Sequence, residues 1–180
     1  MKETLPLFQG RLASPIGTML IVLDGEERLR ALDFEDHERR MLQLLQLQYR
    51  AGPFLLSERD APKSFSDALE AYFSGDVAGI DALPVETGGT AFQREYWRAL
   101  RHVPAGATTT YGTLAKTLGR PNAARAVGAA NGQNPVSIVV PCHRVIGSDG
   151  SLIRYGGGIE RKRWLLEHER KWSAGATVSG

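Results

Sequence analysis

The chain of 180 residues has only one cysteine, Cys142, and no long apolar run. A single thiol cannot form an intramolecular disulfide, so we expect a protein of the reducing cytoplasm. It also excludes a zinc site built from several thiolates. No stretch approaches the roughly eighteen apolar residues of a membrane span, and the first residues lack the apolar segment of a signal peptide. We therefore expect no membrane partner.

The net charge of +2 hides an uneven distribution of charged residues. Residues 1–90 contain 9 Lys and Arg against 15 Asp and Glu, a net charge of −6. Residues 91–180 contain 13 against 5, a net charge of +8. A basic half favours a polyanionic partner, although an ordinary solvated surface with uneven charge explains the same numbers equally well.

The first half has the patterns of a small unit with helices and strands. Two apolar runs, 18–23 and 29–34, flank a polar segment that contains glycine, which is typical of a β-hairpin. Apolar residues recur at helical spacing in 38–49 and again in 64–73, so both are predicted amphipathic helices. Gly, Pro and Asp are enriched in 77–89, which indicates a linker.

The second half is predicted to be mostly helical. The predicted elements are helices at 92–102, 113–118, 122–130 and 160–169, and a strand at 137–140. Asn122 is the expected N-cap of the third of these helices. The two short helices are joined by a turn that contains Gly119 and Pro121, a pattern typical of a helix-turn-helix.

Together these patterns predict an α+β protein with two domains. Residues 1–85 form the N-terminal α/β domain, and residues 90–171 form a helical domain that contains the helix-turn-helix. The Ser- and Gly-rich residues 172–180 are predicted to be a disordered tail.

The second helix of the helix-turn-helix carries small side chains and one long cation, Arg125. Helices that read base edges usually present several polar or basic side chains. Small residues permit a close approach either to another helix or to a narrow groove. An isolated arginine among alanines favours DNA, since a long side chain can enter a base stack.

Cys142 is either a buried, inert thiol or a nucleophile. Pro141 ends the predicted strand and places the cysteine at its end, where sites are commonly built. His143 and Arg144 follow directly, and an electropositive setting favours the thiolate. His143 can accept the thiol proton if a third group orients its ring. Glu169, expected beyond the end of the last helix, is a candidate for that third group.

Asn134 precedes a proline, so its backbone is expected to be extended. Its side chain either ties two loops together or forms a simple Asx-turn.

Several of these segments occur in an order that resembles the O6-alkylguanine-DNA alkyltransferases. The matching segments are Phe-Gln (92–93), Tyr-Gly (111–112), Ala-Ala-Arg-Ala-Val-Gly (123–128), Asn-Pro-Val (134–136), Pro-Cys-His-Arg-Val (141–145) and Trp-Leu-Leu-Glu-His-Glu (164–169). The likeness is continuous from about residue 89 to residue 169. The first half resembles the family's ribonuclease H-like domain only loosely, and the second half its winged-helix-like domain.

The resemblance implies a stoichiometric transfer of an alkyl group from O6-alkylguanine in double-stranded DNA to Cys142, so that each molecule acts once. By the same correspondence His143, Glu169 and a bridging water activate the thiol, and Asn134 braces the site. Tyr155 donates a proton to the guanine O6, and the backbone at Val145, Gly156 and Gly157 lines the pocket.

The resemblance also implies how DNA is bound. The helix-turn-helix lies in the minor groove, and Arg125 fills the gap left by the flipped nucleotide. Tyr111 helps to rotate that nucleotide at its 3′ phosphate. The helix residues expected at the groove are Ala123, Ala124, Ala126 and Gly128. No cofactor and no metal are implied, and the protein is expected to be a monomer, with clustering on DNA left open.

One departure from the family pattern lies beside the pocket, where Ile153 and Arg154 replace small or polar residues. They could narrow the pocket, change the mobility of its loop or add a phosphate contact. Three rival functions also stay open: a lesion-binding protein without transfer, a Cys–His acyl-transfer hydrolase and a plain helix-turn-helix DNA-binding module.

Overall fold

The computed structural model describes residues 2–177, and their side chains as far as Ser173. The first half forms a four-stranded sheet with strand order β3-β2-β1-β4. Its strands are β1 (Leu5–Leu12), β2 (Met19–Asp24), β3 (Leu29–Phe34) and β4 (Phe54–Glu58). β2 pairs antiparallel with β1 and β3, as the predicted hairpin requires, whereas β1 and β4 pair in parallel.

Two helices pack with this sheet, α1 (Glu38–Gln48) and α2 (Lys63–Ser74). Every residue of β2 and β3 is buried, which means that both faces of the sheet are covered. Leu20 and Val22 share one apolar cluster with Met41 and Leu45 of α1. The other face belongs to a larger cluster that includes α2 and much of the second half, so one core joins the two halves.

The second half contains α3 (Ala91–Leu100), α4 (Tyr111–Thr117), α5 (Ala124–Gly132) and α6 (Ile159–Thr177), with two short strands, β5 (Thr109–Thr110) and β6 (Val145–Ile146). α4 and α5 form the predicted helix-turn-helix. α5 begins after Ala123 and has no side-chain cap, so the prediction that Asn122 caps it is wrong. The turn bond from Ala123 N–H to the Arg120 carbonyl delays the helix start beyond Asn122.

The segment before the cysteine is not the predicted strand at 137–140. It pairs with β3 only through an isolated bridge between Leu32 and Val136, and then turns back on itself. Ile138 has a positive φ of 70°, which a regular strand does not permit. This turn places Cys142 against the sheet instead of at the end of an exposed strand.

The last helix is longer than the sequence indicates. α6 continues to Thr177, so residues 172–177 are helical and the prediction of a disordered tail is wrong for them. Residues 178–180 lie outside the described part of the chain. None of the helices within residues 2–177 is long and apolar enough to cross a bilayer.

Candidate active site

Cys142 begins a single 3₁₀ turn, Cys142–Arg144, and its side chain is buried. Burial raises the pKa of the thiol above its usual value, while a hydrogen bond with Asn134 acts in the opposite direction. The resting thiol therefore keeps its proton. A base must remove that proton before the sulfur can act as a nucleophile.

His143 and Arg144 both turn towards Glu169. Nε2 of His143 lies 2.8 Å from Oε1 of Glu169. Arg144 donates from Nε and Nη2 to the two carboxylate oxygens, at 2.9 and 2.8 Å. The expectation that Arg144 makes the surroundings of Cys142 electropositive is thus wrong, because its charge is paired with Glu169.

Glu169 lies inside α6, which continues to Thr177 instead of ending at this residue, and it is fully buried. Burial alone raises its pKa, but the charges and hydrogen bonds of His143 and Arg144 outweigh burial and hold the pKa of Glu169 well below its usual range. A carboxylate can only accept, so Nε2 of His143 carries the hydrogen in this bond. Nδ1 of the same ring is then the acceptor in the neutral imidazole.

Nδ1 of His143 is buried and has no hydrogen-bond partner among the described residues. Buried polar atoms are almost always paired, with protein or with water. An unpaired ring nitrogen next to a cysteine in sequence fits a water molecule that relays the thiol proton. The sequence-predicted trio of Cys142, His143 and Glu169 is therefore brought together in one buried region.

Asn134 holds the segment that leads to the cysteine. Its amide nitrogen donates to the carbonyl of Val140 at 2.8 Å, and its side-chain oxygen accepts from the N–H of Val136 at 2.9 Å. The bond to Val136, two residues away in the chain, is the Asx-turn. The bond to Val140, six residues away, is the tie between loops, so both interpretations of Asn134 hold. Both bonds fix the backbone next to Cys142.

The two predicted substrate tyrosines, Tyr111 and Tyr155, both lie near enough to the thiol for an electrostatic interaction with it. Burial raises the pKa of each hydroxyl, so both carry their protons. The Tyr155 hydroxyl is buried, and Ser137 lies near it without the geometry of a hydrogen bond, so within the described residues it has no partner. A buried donor of this kind is free to bond an incoming acceptor.

Gly156 and Gly157 of the predicted pocket also allow close packing between the pocket loop and the first half. A Cβ on Gly156 would clash with the guanidinium group of Arg40, and one on Gly157 would lie 2.9 Å from the Phe34 ring. A side chain at either position would require Arg40 or Phe34 to move, so glycine lets the pocket loop pack closely against the first half. Arg40 itself donates to Asp33 at 2.7 Å and to the Gly132 carbonyl at 3.0 Å.

Sequence reasoning missed Lys162, which is fully buried in α6. Its ammonium group donates to the carbonyls of Val145 at 2.5 Å and Ile153 at 2.7 Å, which joins the two ends of the pocket loop. Burial lowers its pKa, and the charge of Cys142 opposes that shift. The sequence nevertheless contained a signal that Lys162 is buried. It lies at helical spacing on the same face of α6 as Glu169 and the buried Leu165 and Leu166.

The helix-turn-helix presents an open surface. Arg125 is exposed, and its side chain makes no hydrogen bond, ion pair or ring contact within the described residues. Ala124 and Ala126 are exposed and Ala123 is half-buried, while a Cβ on Gly128 would meet open space. The buried side of α5 is a different one, formed by Val127, Ala130 and Asn131. The small residues therefore do not serve a tight helix–helix contact.

The thiol, the oriented imidazole and the carboxylate define an enzyme that uses a cysteine nucleophile, placed beside a helix-turn-helix. Residues 91–171 match the 6-O-methylguanine DNA methyltransferase DNA binding domain, and residues 7–87 match the ribonuclease-like domain of the same family. The chain belongs to the 6-O-methylguanine DNA methyltransferase family, and the predicted family and fold class are confirmed.

Individual relatives agree with this membership. The methylated-DNA–protein-cysteine methyltransferase of Shigella flexneri is 51% identical over 92% of this chain and 96% of its own length. The enzyme of the same name from Salmonella typhimurium is 53% identical over the same shares. A crystal structure of Mycobacterium tuberculosis OGT in complex with DNA is 37% identical, with a TM-score of 0.72 over 92% of this chain and 94% of that chain.

The described residues contain no group of three or more His, Cys, Asp and Glu side chains that could hold a metal ion.

Proposed function

We propose that this protein repairs DNA by moving the alkyl group of O6-alkylguanine to Cys142, as a methylated-DNA–protein-cysteine methyltransferase. Its family membership makes DNA the partner and transfer to a cysteine the reaction. The observation that carries the assignment to Cys142 is the buried relay beside it, in which Glu169 fixes the ring of His143 and leaves Nδ1 free to accept.

The chemical steps follow from these positions. The thiol proton passes through a water to Nδ1 of His143, and the sulfur attacks the alkyl carbon. The new S–C bond forms as the bond from carbon to O6 breaks, and the electron pair stays on the guanine. Tyr155 donates its proton towards O6 and so stabilises the leaving base. Among the described residues none is placed to hydrolyse a thioether, so in this proposal the alkyl group stays on the protein.

We further propose that the lesion reaches Cys142 from the minor groove. The exposed small residues of α5 permit a close approach to a narrow groove, and the unpaired Arg125 is long enough to occupy the space of an extruded base. Tyr111 begins α4 and stands near the thiol, a position from which it can guide the nucleotide. The protein acts as a monomer in the cytoplasm in this proposal.

A Cys–His hydrolase is the second candidate, since the same three groups serve acyl transfer. The two functions differ in turnover. Incubation of the protein with a duplex containing O6-methylguanine should convert the lesion to guanine until one guanine has formed per protein molecule. Chromatography of the DNA digested to nucleosides measures this plateau. Continued turnover, or an unchanged lesion, contradicts the proposal, and the Cys142→Ala variant provides the baseline.

A further inference from the structure

We propose that Tyr72, a residue of the N-terminal domain, is a positioning residue for the relay that activates Cys142. This inference rests on the proposed function. Its hydroxyl donates to Oε1 of Glu169 at 2.8 Å, the same oxygen that accepts from His143. The family's DNA binding domain, matched at 91–171, contains the other members of the relay but not Tyr72.

Tyr72 is held in place independently of its hydroxyl group. It lies near the end of α2 and is fully buried. Its carbonyl accepts from Nε2 of His168 at 2.7 Å, and its ring centroid lies 5.3 Å from that of His168. His168 precedes Glu169 in α6. The backbone of Tyr72 therefore contacts one residue of α6 and its hydroxyl contacts the next.

The hydroxyl is a donor throughout the ordinary pH range. Burial, followed by the negative charge of Glu169, raises the pKa of Tyr72 well above its usual value. Tyr72 therefore supplies a neutral hydrogen bond to a carboxylate that also bonds His143 and Arg144. Among the described residues, the other titratable side chains near this region are His168, whose ring faces that of Tyr72, and Tyr155, which interacts with Cys142.

Tyr72, His143 and Arg144 all donate to Oε1, and donors on one oxygen compete for its electron density. While Tyr72 bonds Oε1, the carboxylate accepts less strongly from His143 and cannot rotate away from it. Loss of the hydroxyl should therefore allow the carboxylate and the ring of His143 to turn together out of their working orientation, and it should strengthen the bond between them. The changed orientation of the ring slows the transfer. The stronger bond to the carboxylate makes the imidazole easier to protonate.

The test compares the wild type with Tyr72→Phe, which removes only the hydroxyl. Tyr49→Phe is the matched control, because its hydroxyl bonds Arg30 in the same domain, away from the site. Transfer to Cys142 is measured against pH on duplex DNA and on free O6-alkylguanine base. For Tyr72→Phe we expect a loss of roughly three- to tenfold on both substrates, a small part of what proton transfer contributes.

The pH profile separates positioning from mere stability. In Tyr72→Phe the acidic limb should move to higher pH by about half a unit, less than the shift a full charge produces. The Tyr49→Phe profile should match the wild type. A Tyr72→Phe profile whose acidic limb is unchanged, even with a lower melting temperature, overturns the inference.

A second measurement does not depend on transfer. The Nε2–H proton of His143 is buried in its bond to Glu169, and its NMR resonance should move downfield in Tyr72→Phe as that bond strengthens. An unchanged resonance contradicts the positioning role. A wild type that transfers nothing would contradict the proposed function, while the shifted resonance would still support the contact between Tyr72 and the relay.

Discussion

Nε2 of His143 and Oε1 of Glu169 lie 2.8 Å apart in a fully buried pair, although 26 residues separate them in the chain. The carboxylate fixes which ring nitrogen carries the hydrogen and directs Nδ1 away from itself. Arg144 neutralises the carboxylate through two bonds, so the site does not bury an unpaired negative charge.

The Glu169→Gln variant should lose both activity and stability. It removes the negative charge that holds His143 and Arg144, replaces one acceptor oxygen by an NH₂ donor, and leaves the buried charge of Arg144 unpaired. We expect transfer to fall by about 10²- to 10⁴-fold and the free energy of unfolding to fall by about 3–5 kcal/mol at pH 7. Glu167→Gln, at an exposed position of the same helix, is the control and should change neither.

The stability difference between Glu169→Gln and the wild type should depend on pH. The pKa of Glu169 is depressed from its ordinary 4.5 in the folded state, so its contribution is fully present above that value and is lost as the pH falls below it. Urea unfolding at pH 7 and pH 3.5 should show a smaller difference in acid. A difference that grows in acid would show that the carboxylate is not stabilised in its charged form.

Arg125→Ala should separate delivery of the base from the chemistry. Transfer from duplex DNA should slow by at least about tenfold, because the extruded nucleotide loses the side chain that replaces it, an unstacking cost of a few kcal/mol. Transfer from the free O6-alkylguanine base should be nearly unchanged. Single-turnover rates on both substrates measure this, with Arg170→Ala as the control at an exposed position of α6. Equal losses of rate on both substrates would contradict the proposed role of Arg125 in replacing the extruded nucleotide.

Arg154 is expected to contact a phosphate, because its side chain is exposed and its charge acts on Tyr111. The logarithm of the affinity falls as the logarithm of the salt concentration rises. In the Cys142→Ala background, Arg154→Gln should make this slope shallower by about one. Titrations of duplex binding from low to high salt measure the slope. If the slope stays constant, and Arg154→Gln with Cys142 intact reacts faster with bulky adducts only, the side chain narrows the pocket instead.

Lys162→Met should impair transfer on duplex DNA and on free base alike. It leaves the carbonyls of Val145 and Ile153 without the ammonium group that joins them, and a displaced pocket can cost up to about a hundredfold. Lys171→Met, on the exposed side of α6, is the control. Limited proteolysis should cleave the loop between the two carbonyls faster in Lys162→Met, and equal cleavage rates would contradict its structural role.

Much of the fold follows from local patterns in the sequence. Apolar periodicity and nearby turn residues predict the hairpin and the helices α1 to α5. β1 lacks a clear pattern because Pro6 and Gly10 interrupt it. Gly10 is needed there because a Cβ would lie 2.8 Å from backbone atoms of Arg59 and Ala61. β4 is short and has exposed residues, so it lacks a clear alternation.

The site was predictable where its members form a recognisable motif and unpredictable where distant segments meet. Cys142, His143 and Asn134 stand close together in the sequence. Glu169 was only a candidate for the group that orients His143 until the resemblance implied that role. The contact of Tyr72 with Glu169 spans 97 residues, and no local pattern signals it. The turn at Ile138 depends on pairing with β3, which overrides the preference of an apolar run for a strand.

The identity of the alkyl acceptor is tested most directly by mass spectrometry of the protein itself. After incubation with a duplex containing O6-methylguanine, the intact mass should rise by one methyl group, and peptide mapping should place that group on Cys142. The Cys142→Ala variant should gain nothing under the same conditions. Unmodified wild-type protein after long incubation, or a methyl group on another residue, would contradict the account.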